Sequence, residues 1–336
     1  MSNASEGNAV LAFRRAATGE LTPAGSFPTG GRGTGGGLGN IGGVVLSQDQ
    51  HWLYVVNAGS NDITVFAVDD DDRLTRVSKA ASGGDHPISI AVDDDLVYIL
   101  NANSDSITGF RATEAGHLER ISGSTRALGA TGVNPAQISF SPDGLSLVIT
   151  EKATNNLAVF GVNRAGLPDS APTIQPSAGP TPFGFSFTKR RTLLVTEAAG
   201  GAANASSVSS YRLGRDGRLT LVEGAVPTKQ TAACWIAVTP DGRYAYTSNA
   251  ASQSITGFQV KPSGDLTLLD ADGKTASTGL SGNPLDSVIS RDGQFLYTLN
   301  GGRDTISAFR IRQDGGLTPI ATLSGLPASA DGLAIR

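Results

Sequence analysis

The chain has 336 residues, with 30 acidic against 26 basic side chains and a formal charge of −4. No basic stripe or Lys/Arg cluster interrupts that balance, which speaks against a nucleic-acid partner, and no apolar run approaches the roughly 20 residues that span a bilayer. Glycine is abundant, at 43, and Cys234 is the only cysteine, which excludes an internal disulfide framework or a cysteine-based zinc site.

Along the chain, the first readable segments are Asn8–Phe13 and Gly19–Thr22, which match the third and fourth strands of a unit that recurs later. A Gly-rich loop follows, Gly30–Gly37, carrying Arg32. Then a strand ending in Asn or Glu repeats: Trp52–Asn57, Leu96–Asn101, Leu145–Glu151, Thr192–Glu197, Tyr244–Asn249 and Phe295–Asn300. From Asn57 to Asn101, Glu151, Glu197, Asn249 and Asn300 the spacings are 44, 50, 46, 52 and 51 residues. That is the length of a four-stranded propeller blade.

Each unit has the same internal order. An inner strand such as Ala136–Phe140 or Trp235–Val238 leads to a tight turn, Ser141–Gly144, Thr239–Gly242 or Ser290–Gly293, each with Asp-Gly at its end. Asp-Gly supplies a residue that tolerates positive φ. After the Asn/Glu strand comes a polar loop and a third strand that closes on an aromatic: Phe66, Phe110, Phe160, Tyr211, Phe258 and Phe309. A second Gly turn leads to an outer strand, beginning Leu74-Thr75, Leu219-Thr220, Leu266-Thr267 or Leu317-Thr318. The strands are short and β-branched, and no long segment of period 3.6 competes.

Six units are complete. The ends of the chain supply parts of a seventh: Asp331–Ile335 reads as its inner strand and Asn8–Thr22 as its third and fourth. The expectation is therefore an all-β fold, one domain over residues 1–336. It is a seven-bladed β-propeller closed by N- and C-terminal strands sharing one blade, which covers edges that would otherwise be exposed. The second strand of that blade is nearly absent, with Met1-Ser2-Asn3 as its last residues and Asn3 on the Asn/Glu position. Two readings follow: residues upstream have been trimmed or left out, or the blade has three strands. No signal peptide is visible. Ser, Thr, Asn and Gly richness with only six lysines leans towards export after removal of a leader.

The repeated inner strand, Ser-Pro-Asp-Gly turn, Leu-Tyr-Val-x-Asn strand and Ile-Thr-x-Phe strand resemble the lactonase-type seven-bladed propellers. That family includes bacterial 6-phosphogluconolactonase and fungal carboxymuconate-cyclising enzymes. Thr29–Gly35, Ser82–Gly84, Thr150–Lys152, Pro182–Phe185, Ala233–Trp235 and Gly325–Pro327 resemble a lactonase-like branch of it. The resemblance covers the whole chain and implies a fold and a homology rather than a substrate.

Blade connectivity divides the loops between two faces. The face bearing the loops between second and third strands, and those entering the inner strands, is the longer and more varied, and so the expected functional face. His86 falls there, beside Pro87, as a candidate general base. Glu151 and Glu197 replace Asn in adjacent blades; two nearby carboxylates would raise one pKa and provide an acid or base. The plainer reading is that they make the loop hydrogen bonds that Asn makes elsewhere. Arg32 and Lys152 are candidate anchors for an acidic substrate, and Trp235 a candidate floor for a central pocket. The Arg32 loop fails the dinucleotide fingerprint at its last glycine, and Gly273-Lys-Thr275 lacks the first glycine of a P-loop. No cofactor or metal site is expected, weak Ca²⁺ binding at Asp69–Asp72 or Asp93–Asp95 aside; both acid runs read more simply as solvated turns. A buried thiol is the better reading of Cys234. The resemblance implies hydrolysis of a small acidic or sugar-derived lactone by a monomer. A non-catalytic scaffold for a protein or glycan, and a cyclase or isomerase of carboxylated rings, stay open.

Overall fold

A computed structural model describes residues 1–336. It is all-β apart from one 3₁₀ turn at Ala199–Gly201, and no helix is long and apolar enough to cross a membrane. Six antiparallel sheets follow the order expected for blades. In blade 1 the strands are Val44–Leu46, Trp52–Asn57, Asp62–Val68 and Leu74–Ala81, paired in sequence. Blades 2 to 6 open with Pro87–Asp93, Pro135–Phe140, Pro182–Phe187, Ala233–Val238 and Pro284–Ile289, and repeat the pattern. Blades 2 and 5 split the outer strand into two short pieces that pair with the same third strand.

The second strands are buried on both faces. Leu53–Asn57, Val97–Asn101 and Tyr244–Asn249 are buried throughout, because each is flanked by strands in its own sheet and covered by the two adjacent blades. In two of these strands a tyrosine ties the blade to the next one. Tyr98 Oη donates to Gly166 O of the next blade, and Tyr246 Oη to Gly315 O at 2.7 Å. Gly19, Gly116, Gly166 and Gly315, which close turns between third and fourth strands, lie against the start of the preceding blade's second strand. Gly116 sits at φ +77°, where a Cβ would come within 2.3 Å of Trp52, so both the turn and the packing require glycine.

The chain ends differ from the expectation. Ala9–Arg15 pairs with Leu21–Pro28 in a two-stranded sheet, and residues 331–336 form no strand. The ends nevertheless meet. The Met1 nitrogen donates to Asp331 O at 2.8 Å, and Asp331 N donates back to Met1 O at 3.0 Å. Tyr297 Oη of blade 6 donates to Gly19 O at 2.7 Å, the same contact that joins blades 2 to 3 and 5 to 6. Asn3 does not occupy the Asn/Glu position. Ser2 N bonds Ala9 O, so Ser2 stands there, and the Asn3 amide reaches Thr34 Oγ1 and Gly36 O in the Gly-rich loop. Gly33 packs so closely on the Asn3 backbone that a Cβ would come within 2.2 Å of it.

Candidate active site

The loops between second and third strands and the entrances to the inner strands share one face, stitched by a recurring clamp. Asn61 Oδ1 accepts from His86 N, Asn155 Oδ1 from Thr181 N, and Gln253 Oε1 from Ser281 N. In each case the acceptor belongs to the loop of one blade and the donor to the entrance of the next.

Residues 38–43, which follow the Gly-rich loop, cross the mouth of the ring. Ile41 N donates to Ala136 O of blade 3, the Asn40 amide to Ile88 O of blade 2, and Trp235 Nε1 of blade 5 to Asn40 O at 2.7 Å. Ile41 packs among Ala136, Phe183, Cys234 and Trp235. Trp235 is therefore the buried floor beneath a plug made by the chain itself, tilted against Phe183 at 5.1 Å between ring centroids.

Lys152 lies under the same plug. Its ammonium donates to Gly39 O at 2.7 Å and stands 4.7 Å from the centre of the Phe183 ring. Burial pulls its pKa down to about 8, because the charged form loses water that one carbonyl and a ring face replace only in part. Burial likewise pushes the neighbouring Cys234 thiol up to about 12, with Lys152 opposing the rise. Cys234 is a buried thiol, without the thiolate character that a nucleophile needs.

The two glutamates are held apart in function. Glu197 is wholly buried and accepts from Ser207 Oγ at 2.6 Å, Gly179 N at 3.2 Å and Ser177 Oγ at 3.3 Å. These bonds tie its own blade's loops, as Asn57 does in blade 1 through Asp62 and Thr64. Glu151 Oε2 accepts from Thr154 Oγ1 at 2.7 Å, while its Oε1 is buried without a partner. Burial raises both pKa values; the carboxylate that adds to the rise at Glu151 is Asp105, and none does so at Glu197. The premise that the two glutamates perturb one another is not met.

His86, at φ +60°, lines a cavity of about 620 Å³ between blades 2 and 3, together with Leu38, Asn103, Asp105, Thr131 and Asn134. Asp105 is buried. Its Oδ2 accepts from Gly132 N at 2.6 Å and its Oδ1 has no partner. Lys152 N bonds Asn134 O, so the cavity adjoins the segment that carries Glu151 and Lys152. Arg32 is exposed on the Gly-rich loop, anchored only through its backbone to Ser60 Oγ and Gly59 N, and lines neither this cavity nor the Lys152 site. The acid runs behave as turns: Asp69 Oδ1 caps Asp71 N and Arg73 N, and Asp72 pairs with Arg336. No group of three or more His, Cys, Asp or Glu side chains is arranged to hold a metal ion.

The family model described as "Lactonase, 7-bladed beta-propeller" matches residues 6–134 and 173–284, well over half of the chain. The chain belongs to the lactonase β-propeller family. No curated protein sequence matches this lactonase-family chain. Among solved structures, it is similar to the periplasmic gluconolactonase of Pseudomonas aeruginosa, with 19% identity and a TM-score of 0.73 over 94% of this chain and 93% of that one. It is also similar to a protein of Bacteroides uniformis provisionally assigned as a 6-phosphogluconolactonase, with 18% identity and a TM-score of 0.75 over 94% and 92%. A Lactobacillus plantarum protein matches with 19% identity and a TM-score of 0.73 over 92% and 90%. At these identities the likeness is one of fold.

Proposed function

We propose that this lactonase-family propeller hydrolyses a small, polar lactone held in the cavity between blades 2 and 3. The observation that carries the reading is the pairing, in one polar cavity on the loop face, of His86 with Asp105, whose Oδ1 is buried and unpaired. A buried acceptor without a partner is costly unless a ligand hydroxyl or water donates to it. His86 takes a proton from water, the oxygen adds to the lactone carbonyl, and the ring C–O bond breaks as the ring oxygen gains a proton. Asp105 holds a substrate hydroxyl, while Lys152, under the plug and outside the cavity lining, stays on Gly39 O. Glu151 sits behind the cavity with an open oxygen; Glu197 ties loops.

Titrating acid release from a panel of sugar and aromatic lactones tests the proposal. His86→Ala should lower kcat/KM by about 10²–10⁴-fold, and Asp105→Asn should raise KM more than it lowers kcat. Absence of turnover above buffer across the panel removes the reading. A second reading, a scaffold that binds a hydroxyl-rich ligand without chemistry, draws on the polar lining and the plugged mouth. Saturable binding of a sugar with no turnover would establish it.

A further inference from the structure

The tight turns between first and second strands, and between third and fourth, gather on the face opposite the plugged mouth. Neighbouring blades are stitched there too. Gln48 Nε2 of blade 1 donates to Asp93 Oδ1 of blade 2 at 2.9 Å, and Asp143 of blade 3 pairs with Arg191 of blade 4. The fold sorts charge on this face by blade. At this end of blades 1 and 2 stand Asp49, Asp69–Asp72, Asp93–Asp95 and Glu114, and the turns themselves contain one lysine or arginine, Arg73. Asp49, Asp72 and Asp95 pair with His51, Arg336 and Arg111, which leaves Asp69–Asp71, Asp93, Asp94 and Glu114 without an ion pair. The turns of blade 4 are the reverse: Lys189–Arg191, Arg215 and Arg218 against a single acid, Asp216. Lys189, Arg190 and Arg215 are exposed and unpaired.

Blade 3 stands between acidic blade 2 and basic blade 4. Its tight turns, residues 141–145 and 163–167, hold one charge of each sign, Asp143 and Arg164. They also hold Leu145, which is 51% exposed. The other large apolar side chains left in the open lie elsewhere, Ile174 and Leu221 on outer strands and Leu280 on the loop face.

A face with opposite signs on either side of a neutral blade is complementary to a copy of itself. A twofold axis that lies along the face and passes by blade 3 brings the acidic turns of each chain onto the basic turns of the other. Residues at such an axis meet their own counterparts, where net charge would repel and an apolar side chain can pack. The blade at that place is the one with balanced turns and the exposed leucine.

We propose that this turn face is the interface of a homodimer. Two reciprocal contacts between blades 1 and 2 of one copy and blade 4 of the other close it, and Leu145 packs on its counterpart at the centre. This departs from the monomer that the family resemblance implies. The loop faces point outward, so both His86 cavities stay open.

Sedimentation equilibrium of the full chain, across concentration and salt, tests the proposal. A monomer–dimer equilibrium is expected, weakened about tenfold or more between about 0.1 M and about 1 M salt as the screening length falls from about 10 Å to about 3 Å. Reversing blade 4 with Lys189→Glu, Arg190→Glu and Arg215→Glu should leave a monomer. So should reversing the acidic side with Asp70→Lys, Asp71→Lys and Asp94→Lys. Mixed in equal amounts, the two variants should recover a dimer with one chain of each, because both contacts again join opposite signs; misfolded chains could not do this. Leu145→Asp should weaken the dimer about tenfold or more. A chain that is monomeric at every concentration in low salt, a dimer indifferent to both reversals, or variants that stay monomeric when mixed would each overturn the proposal. So would growth beyond the dimer with concentration, the mark of a head-to-tail contact that does not close.

Discussion

Blade 1 and the two-stranded sheet at the chain ends carry the same kind of third strand and bury it to different depths. Thr64, Val65 and Phe66 are fully buried; Leu11, Ala12 and Phe13 are half-buried, although both strands pair with a fourth strand and both carry a bulge before the aromatic. The difference is the strand on the other side, Trp52–Asn57 in blade 1 and a cavity in the closing sheet. A strand's burial in a propeller is thus given by its neighbours in the sheet and by the adjacent blades, more than by its own residues.

The largest expected effect follows directly. Phe66→Ala should lower the unfolding free energy by about 3–5 kcal/mol, and Phe13→Ala by clearly less, about 1–2 kcal/mol, because its site already opens on a cavity that can relax. Urea denaturation of the two variants measures the pair, and equal losses would break the comparison.

A second test uses Asp286, beside the junction of the chain ends. Its Oδ2 accepts from Leu333 N, and burial first, with Asp331 adding, lifts its pKa to about 7 from an ordinary 3.8. Between about pH 4 and pH 7 the folded chain therefore holds a proton that the unfolded chain has released. Stability falls as pH rises through that window. Thermal melts should show this slope, and Asp286→Asn should flatten it. An unchanged slope would mean that the junction admits water.

The smallest effect concerns the seams. Tyr246→Phe removes one bond to Gly315 O and Tyr297→Phe one to Gly19 O. Each should cost about 0.5–1.5 kcal/mol. Similar values would show that the two-stranded sheet docks on blade 6 as firmly as blade 6 docks on blade 5. A negligible effect at Tyr297 alone would show a loose seam, read by chemical denaturation or by faster amide exchange in Ala9–Arg15.

Local chemistry made much of the fold legible. The Asp-Gly turns, the Asn/Glu ends and the recurring aromatics each report on contacts within about one blade, and their period exposes the ring. The candidate site was legible only in part. His86 could be placed from its position before an inner strand, but Asp105 sits in a loop that resembles five others. Its bond from Gly132 N is the clamp that Asn61, Asn155 and Gln253 also make; what distinguishes Asp105 is the second carboxylate oxygen, buried without a partner. Glu197 stands out in sequence, yet its partners Ser177, Gly179 and Ser207 make it a loop tie. Lys152 reads in sequence as an anchor for an acidic substrate; its cover comes from Gly39 and Phe183, contributed by the plug and by the next blade, and burial lowers its pKa.

Sequence alone determined the strand order within each blade and the face on which the long loops gather, because turn geometry and two-sided apolar strands act over a few residues. Tertiary structure decided that residues 38–43 cover the mouth, which polar groups are left unpaired, and that the chain ends meet beside a cavity. These outcomes depend on which distant segments share a small volume, and no local pattern encodes that.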